Sequence, residues 1–206
     1  MSHSEVCVIN YGLGNLRSVE NGLRAVGASV RVVNTPEDVT RADRLILPGV
    51  GSFNEGMKNL RDSGLSEAIC SAAKRGTPLL GICLGMQLLA SHGEEGGNTQ
   101  GLGLIPGIVK RFAVDAALRI PHMGFNEVFP LKTSPLFEEV PVGSDFYFVH
   151  SYHVVVDDAN DGLASASYGV PFMAAVHRAN VFGTQFHPEK SQSQGLQLLK
   201  NFCAFV

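Results

Sequence analysis

The first half of the chain alternates short apolar runs with helical repeats. Four segments have the length and content of buried strands: 6–9, 30–33, 45–47 and 79–82. Between them, apolar residues recur every three or four positions, which predicts helices over 16–26, 53–60 and 65–74. This alternation indicates β-α-β units, in which helices cover both faces of a parallel sheet. The pattern therefore predicts an α/β fold with a binding crevice at the carboxyl ends of its strands.

After about Gly93 the pattern changes to short apolar runs separated by turns. Further strands, some of them antiparallel, are predicted over 108–112, 146–149, 153–156, 173–176 and 181–186. A closing helix is predicted over 195–205. Because the sequence has neither an internal repeat nor a linker-like tract, we expect one domain spanning 1–206. Its sheet should be mixed, mostly parallel and flanked by helices.

Cys83 stands where the strand predicted over 79–82 gives way to a helix. Gly81 precedes it by two positions and Gly85 follows it by two, which is the spacing of a nucleophile elbow with cysteine in place of serine. Such a turn lifts the nucleophile off the sheet. The helix behind it favours a thiolate and offers a backbone N–H to an oxyanion. The alternative is a buried structural thiol, which is common for a free cysteine.

Far downstream, His187, Pro188 and Glu189 follow the last predicted strand. Pro188 favours extended backbone at His187, and residues two apart in an extended chain point to the same side. Glu189 would then orient the imidazole and leave its other nitrogen as a base for Cys83, which predicts a Cys-His-Glu triad. Two alternatives are a surface turn and a zinc site formed by these three side chains.

Composition excludes several classes of function. The 206 residues are 45% apolar and 17% charged, and a net charge of −3 without a basic cluster argues against nucleic-acid or membrane partners. The four cysteines are scattered, so we expect neither a disulfide scaffold nor a zinc knuckle. Residues 1–5 lack the features of a signal peptide, and a reducing cytoplasm is the expected setting. Gly12-Leu13-Gly14 is too short for a dinucleotide fingerprint, and we predict no cofactor and no metal.

Three motifs in this order resemble those of the class I, triad-type glutamine amidotransferases: Pro48–Gly51, Gly81–Gln87 and His187–Glu189. Within that family, the chain is most similar to the glutaminase subunits of histidine biosynthesis. The stretches that carry this similarity reach from the first predicted strand towards the last predicted helix, at 11–18, 47–53, 120–124, 148–152 and 185–191. One departure is Phe125, where these relatives usually carry tryptophan. Phenylalanine keeps an aromatic contact but lacks the indole N–H.

The resemblance implies a glutaminase reaction. Cys83 would attack the side-chain amide carbon of glutamine, His187 would pass the thiol proton to the leaving ammonia, and water would hydrolyse the thioester. Backbone N–H groups of Leu84 and of the strand through Val50 and Gly51 would hold the oxyanion. The residues implied for holding the substrate are Gly49, Gln87, Glu95, Ser151 and Tyr152.

The resemblance also implies a partner. Ammonia would pass to a separate (β/α)8-barrel cyclase subunit in a heterodimer, and the partner would gate activity through the strand that carries Val50. Because the chain ends soon after Glu189, we expect no acceptor-binding domain in it. The residues implied for the interface are Tyr11, Asn15, His122, Met123, Tyr147 and Lys190.

Three alternatives stay open within this interpretation. The chain could serve a different or paralogous synthase, for which Phe125 is the one hint. It could be a γ-glutamyl hydrolase or peptidase on the same scaffold. It could also be a binding subunit without activity, although the intact Cys83, His187 and Glu189 argue against that.

Overall fold

Thirteen strands are found in the part of the chain that the computed structural model describes, residues 5–115 and 118–205. They are β1 Val6–Ile9, β2 Val30–Val33, β3 Arg44–Gly49, β4 Leu79–Cys83, β5 Ala90–Gly93, β6 Thr99–Gln100, β7 Ile105–Arg111, β8 His122–Pro130, β9 Ser144–His150, β10 Tyr152–Val156, β11 Gly162–Tyr168, β12 Val170–Arg178 and β13 Val181–Thr184. A large sheet has the order β2-β1-β3-β4-β13-β12-β11-β8-β9, and a small sheet has the order β10-β7-β5-β6.

The large sheet is parallel on one side of β13 and antiparallel on the other. All neighbours from β2 through β13 are parallel. All neighbours from β13 through β9 are antiparallel. The sheet is therefore mixed, as the sequence predicts, but its antiparallel share is larger than the apolar pattern suggested. β11, β12 and β13 follow one another through short turns and pair antiparallel, whereas helices separate β1, β2, β3 and β4 along the chain.

Six α-helices lie within the same described ranges: α1 Leu16–Ala25, α2 Pro36–Arg41, α3 Phe53–Asp62, α4 Leu65–Lys74, α5 Leu84–Leu88 and α6 Gln192–Ala204. Alternate residues of β1 face opposite layers, because side chains alternate along a strand. Cys7 and Ile9 pack in the core that includes α2, α3 and α4. Val6 and Val8 pack in the core that includes α1 and α6. Helices thus cover both faces of the parallel half, as predicted.

None of the helices in the described ranges is long and apolar enough to cross a membrane.

The apolar pattern located most elements of the parallel half correctly. The strand predictions over 6–9 and 30–33 match β1 and β2, and the helix prediction over 65–74 matches α4. The pattern missed α2, which is short. Its N-cap is Thr35, whose side chain accepts a hydrogen bond from the backbone N–H of Asp38. It also missed β5, β6, β8 and β11, because polar, glycine and small residues interrupt their apolar runs. The first four residues, on which the prediction of no signal peptide partly rests, lie outside the described part of the chain.

Three neighbouring parallel strands place the candidate chemistry at one edge of the sheet. Gly49 at the end of β3 pairs in register with Cys83 at the end of β4. Thr184 at the end of β13 pairs with Ile82 of β4, so the chain after β13 emerges beside Cys83. Since all three strands run the same way, their carboxyl ends form the predicted crevice.

Candidate active site

Cys83 sits on a strained turn, as the elbow motif predicts. Its φ of 55° lies in the left-handed region, which is uncommon for a residue with a side chain. Its flanking glycines are required by close backbone packing. A Cβ on Gly85 would lie 1.7 Å from the Leu47 carbonyl oxygen, and one on Gly81 would lie 2.6 Å from the Gly85 carbonyl oxygen. Backbone strain of this kind costs about 1–3 kcal/mol and is concentrated at functional sites.

The residues predicted for the oxyanion surround this turn. Leu84 begins α5, so its backbone N–H has no carbonyl partner within that helix. Val50 and Gly51 follow directly on the β3 residue that pairs with Cys83, and both line the same cavity as the thiol. Gly51 has a φ of +110°, a conformation that a side chain would strain. The arrangement supports Leu84 and the segment from Gly49 to Gly51 as candidate donors.

His187 and Glu189 form a buried pair through a turn of the backbone. Nδ1 of His187 lies 2.8 Å from Oε1 of Glu189, and both side chains are almost fully enclosed. The backbone around them differs from the prediction. His187 is extended, but Pro188–Lys190 form a short 3₁₀ helix, and this turn rather than extended chain carries Glu189 back to the imidazole. Because the acceptor is a carboxylate, Nδ1 carries a proton and Nε2 faces the cavity shared with Cys83.

Electrostatics favour a protonated imidazole at this position. Burial lowers the pKa of His187, but the neighbouring Cys83 sulfur and Glu189 carboxylate outweigh it and raise the pKa to about 9. Nε2 of His187 has no other hydrogen-bond partner among the described residues, so it is available to exchange a proton with a ligand. Within the same described ranges, no group of three or more His, Cys, Asp or Glu side chains is arranged to hold a metal ion.

A cavity of about 360 Å³ joins these groups. Nearly all the residues predicted for the reaction and for holding the substrate line it: Val50, Gly51, Cys83, Leu84, Gln87, Glu95, Ser151, Tyr152 and His187. Gly49 and Glu189 lie behind this lining, since Gly49 precedes Val50 on β3 and Glu189 contacts the far side of the imidazole. The structure therefore brings into one pocket residues that are scattered over most of the sequence.

Two of the predicted substrate residues are held in fixed orientations. The side-chain amino group of Gln87 donates to the Tyr152 carbonyl at 3.0 Å and to Gln185 Oε1 at 2.9 Å. Oε1 of Gln87 is thereby left as an acceptor for a ligand. Oε2 of Glu95 accepts from the backbone N–H of Phe53 at the start of α3, at 2.8 Å. A carboxylate fixed in this way suits an ammonium group in the cavity.

The predicted interface residues do not all lie on the surface. Tyr11 and His122 are only 5% and 3% exposed, so little of either side chain reaches the surface of the isolated chain. The Tyr11 hydroxyl lies against Gly49 instead, where a Cβ on Gly49 would approach it to 2.5 Å. Asn15 is exposed, but its side chain accepts from Ser18 and caps α1.

One patch contains the remaining predicted interface residues and Phe125. We call it the rim patch, and it consists of Met123, Phe125, Tyr147 and Lys190. Phe125 meets the Tyr147 ring edge-on at 5.5 Å, and the Lys190 ammonium lies 5.7 Å from the centre of that ring. Met123 is 63% exposed and Phe125 is 50% exposed, which is unusual for large apolar side chains. Tyr147 also lies 6.4 Å from the His187 ring. The rim patch therefore adjoins the His187–Glu189 pair.

Sequence reasoning missed four residues at this site. Pro121, Val149 and His150 line the cavity, and Gln185 donates from its side chain to the Cys83 sulfur at 3.8 Å. A signal for Gln185 was present, because the strand predicted over 181–186 leads directly to His187, and residues two apart in an extended chain face the same side. Val149 and His150 lie on β9 where it pairs with β8, and Pro121 directly precedes β8, a strand that was not predicted.

Comparison with known proteins agrees with this geometry. The family model of class-I glutamine amidotransferases matches residues 7–205. The chain is 49% identical over 201 residues to imidazole glycerol phosphate synthase subunit HisH of Moorella thermoacetica, covering 98% of this chain and 95% of that protein. It is 45% identical to imidazole glycerol phosphate synthase hisHF, chloroplastic, of Arabidopsis thaliana, covering 98% of this chain and 34% of that protein.

Solved structures share the fold at much lower identity. PurLQS from Thermotoga maritima superposes with a TM-score of 0.78 at 20% identity, covering 97% of both chains. A glutamine amidotransferase from the same organism superposes with a TM-score of 0.67 at 20% identity, covering 92% of this chain and 77% of the other. At this level of identity, the likeness describes the scaffold alone.

Proposed function

Because this chain belongs to the class I glutamine amidotransferase family, we propose that it is the glutaminase subunit of an imidazole glycerol phosphate synthase. It hydrolyses glutamine to glutamate and ammonia, and it delivers the ammonia to a cyclase subunit. The observation that carries the proposal is the single cavity shared by Cys83 and the His187–Glu189 pair. The near full-length similarity to subunits named HisH supports the choice of synthase.

The chemistry follows from the positions of these groups. His187 takes the thiol proton, and the Cys83 sulfur attacks the side-chain amide carbon of glutamine. The tetrahedral oxyanion accepts hydrogen bonds from backbone N–H groups of Leu84 and of the segment from Gly49 to Gly51. The imidazolium returns its proton to the leaving ammonia, and a thioester forms. Water, deprotonated by the same imidazole, then releases glutamate and restores the thiol.

Binding of glutamine relies on groups that the fold already holds in place. Glu95 offers a carboxylate to the α-ammonium, and Gln87 offers its free Oε1. Ser151 and Tyr152 also line the cavity, and the Tyr152 carbonyl accepts a hydrogen bond from Gln87. The α-carboxylate is left for backbone donors, which is consistent with a cavity that has no lysine or arginine among its described lining residues.

The partner is a (β/α)8-barrel cyclase subunit docked on the rim patch. Exposed methionine and aromatic side chains, such as Met123 and Phe125, are enriched at protein–protein interfaces. Its position beside His187 lets a docked barrel receive ammonia directly from the cavity. A reducing compartment suits a reaction that needs a free thiol, and the cytoplasm therefore stays our proposal.

Substrate choice tests this function against its rivals. We expect the purified chain to release glutamate from glutamine, and a cyclase with its ligand bound to raise that rate. Turnover of γ-glutamyl peptides should stay near background. A chain that cleaves γ-glutamyl peptides as fast as glutamine would support the hydrolase alternative. A chain that co-purifies with a different synthase would support the paralogous pair.

The pairing of His187 with Glu189 makes a pH-dependent prediction. In Glu189→Gln, the neutral amide no longer favours the imidazolium, so the protonation midpoint of His187 should fall from about 9 towards 6.5. A hydrogen bond to a charged group contributes about 1.5–3 kcal/mol, so turnover should fall about tenfold to a hundredfold. The loss should be greatest above neutral pH. There the His187 imidazole of the variant is already neutral and cannot give a proton to the leaving ammonia.

Two measurements check this prediction. The ring signals of His187 followed by NMR give the midpoint, and turnover against pH gives the catalytic effect. Glu138→Gln is the matched control, because that carboxylate is exposed and lies outside the cavity. An unchanged midpoint in Glu189→Gln would show that Glu189 does not act on the imidazole.

A further inference from the structure

A buried amide is aimed at the nucleophile. Gln185 is 0% exposed, and its Nε2 lies 3.8 Å from the Cys83 sulfur. It follows β13, the strand that also leads to His187, so its position is set by the same element that places the general base. A fully buried polar side chain in contact with a reacting atom calls for a chemical explanation.

The orientation of this amide follows from its neighbours. The Tyr152 carbonyl can only accept, so Gln87 must turn its amino group towards it. The other hydrogen of that amino group then reaches Gln185, which must present Oε1 to receive it. With its oxygen used, Gln185 has only its amino group left to face Cys83. The sulfur is therefore the acceptor in this contact.

A chain of neutral histidines anchors the Tyr152 carbonyl. Burial lowers the pKa of His150 to about 3 and that of His122 to about 4, so both rings are neutral near neutral pH. His150 Nδ1 lies 2.8 Å from the Tyr152 carbonyl and must donate to it. Its Nε2 then accepts from His122 Nδ1 at 3.1 Å, and Asn126 donates to the far nitrogen of His122. Each hydrogen bond in this network therefore has one donor and one acceptor.

The thiolate needs such a donor because its other supports are limited. α5 has five residues, so the field at its N-terminus is that of little more than one helical turn. The Val149 carbonyl, 3.9 Å from the sulfur, can accept from a thiol but repels a thiolate. Other titratable groups around the sulfur are His187 and Tyr11, which interact with it electrostatically, and Glu95, His150 and Tyr152, which line the same cavity.

We propose that Gln185 is a further catalytic residue, whose side-chain amide donates to the Cys83 sulfur and stabilises the thiolate that attacks the substrate. Gln87 and the Tyr152 carbonyl position it, so a residue that holds the substrate also holds the group that activates the nucleophile. The inference rests on the proposed role of Cys83 as nucleophile. It adds a side-chain donor to the His187 and backbone contributions.

The test is the pH dependence of Cys83 alkylation in the full chain. Iodoacetamide labelling is followed by peptide mass mapping, which separates Cys83 from the other three cysteines. In Gln185→Met, which keeps the length and loses the donor, the midpoint should rise by about one pH unit or more, as expected for one hydrogen bond to an ionised group. In Gln185→Glu, where an oxygen replaces the amino group, the rise should be larger. Gln197→Met, on α6 and outside the cavity, should leave the midpoint unchanged.

Turnover separates activation from packing. We expect kcat of Gln185→Met to fall about tenfold with little change in KM, matching the labelling shift. A folded Gln185→Met variant with an unshifted labelling midpoint would overturn the proposal. A chain without glutaminase activity would count against the proposed function. The labelling midpoint could still be measured in such a chain, because alkylation of Cys83 does not need glutamine.

A measurement on the unmutated chain tests the proposal without relying on variants that must fold. The side-chain NH₂ signals of Gln185 in the ¹⁵N NMR spectrum should move as Cys83 titrates, with the midpoint found by alkylation. Signals that stay fixed through that midpoint would contradict the proposal.

Discussion

Cys83→Ser should abolish glutamine hydrolysis, with turnover falling by about 10⁴-fold or more, as when the nucleophile of a triad is removed. A serine hydroxyl is far harder to ionise than a thiol, and the surrounding groups are arranged for sulfur. The change removes no packing volume of consequence from the core. The variant should therefore keep its fold and its ability to bind the cyclase.

Cys203→Ser is the matched control for this prediction. Its thiol is half-buried near the end of α6, and burial raises its pKa to about 11, so it should be unreactive near neutral pH. A glutamine-analogue electrophile such as a diazo-ketone should label Cys83 once per chain when the partner is present. Labelling of Cys7, Cys70 or Cys203 in its place would refute the assignment of the nucleophile.

Addition of a ligand-loaded cyclase should raise glutamine turnover about 100- to 1,000-fold over that of the isolated chain. Val50 lies beside Cys83, is exposed at the mouth of the cavity, and stands between Gly49 and Gly51. A partner that favours an aligned strand accelerates the reaction only by the difference in free energy that it imposes between the two strand arrangements. One oxyanion donor contributes about 2.7–4 kcal/mol, which sets the expected range.

Position 51 tests whether this strand is the gate. Gly51 has a φ of +110°, which proline cannot adopt because its ring fixes φ near −65°. Gly51→Pro should therefore exclude the observed arrangement, and it also removes the backbone N–H of position 51, so the activation ratio should fall below about ten. Gly51→Ala, which is strained but not excluded, should give a smaller change. Gly76→Ala is the control, since Gly76 also has a positive φ but lies at the end of α4, remote from Cys83 in the fold.

Two outcomes would contradict gating. An isolated chain that already turns over as fast as the loaded complex would remove the need for a partner and favour the hydrolase alternative. An activation ratio that stays unchanged in Gly51→Pro would place the coupling elsewhere, with the rim patch as the next region to vary.

The sequence by itself determined the candidate nucleophile, the base and its orienting carboxylate. Gly81 and Gly85 around Cys83 are readable because only glycine tolerates the backbone contacts of an elbow, and the structure shows those contacts at Leu47 and Gly85. The parallel half was also readable, because buried strands and amphipathic helices have different apolar periods. These features depend on local patterns, which a single chain displays directly.

Tertiary structure decided the features that depend on pairing between distant segments. The reversal of Glu189 onto His187 comes from a 3₁₀ turn and not from extended chain. The burial of Tyr11 and His122 follows from packing that no local pattern records. The contact from Gln185 to Cys83 joins residues 102 positions apart, and its direction is set by a chain of donors and acceptors. Sequence spacing constrains which face a side chain occupies, whereas the partner it meets there is fixed only when strands such as β4 and β13 pair.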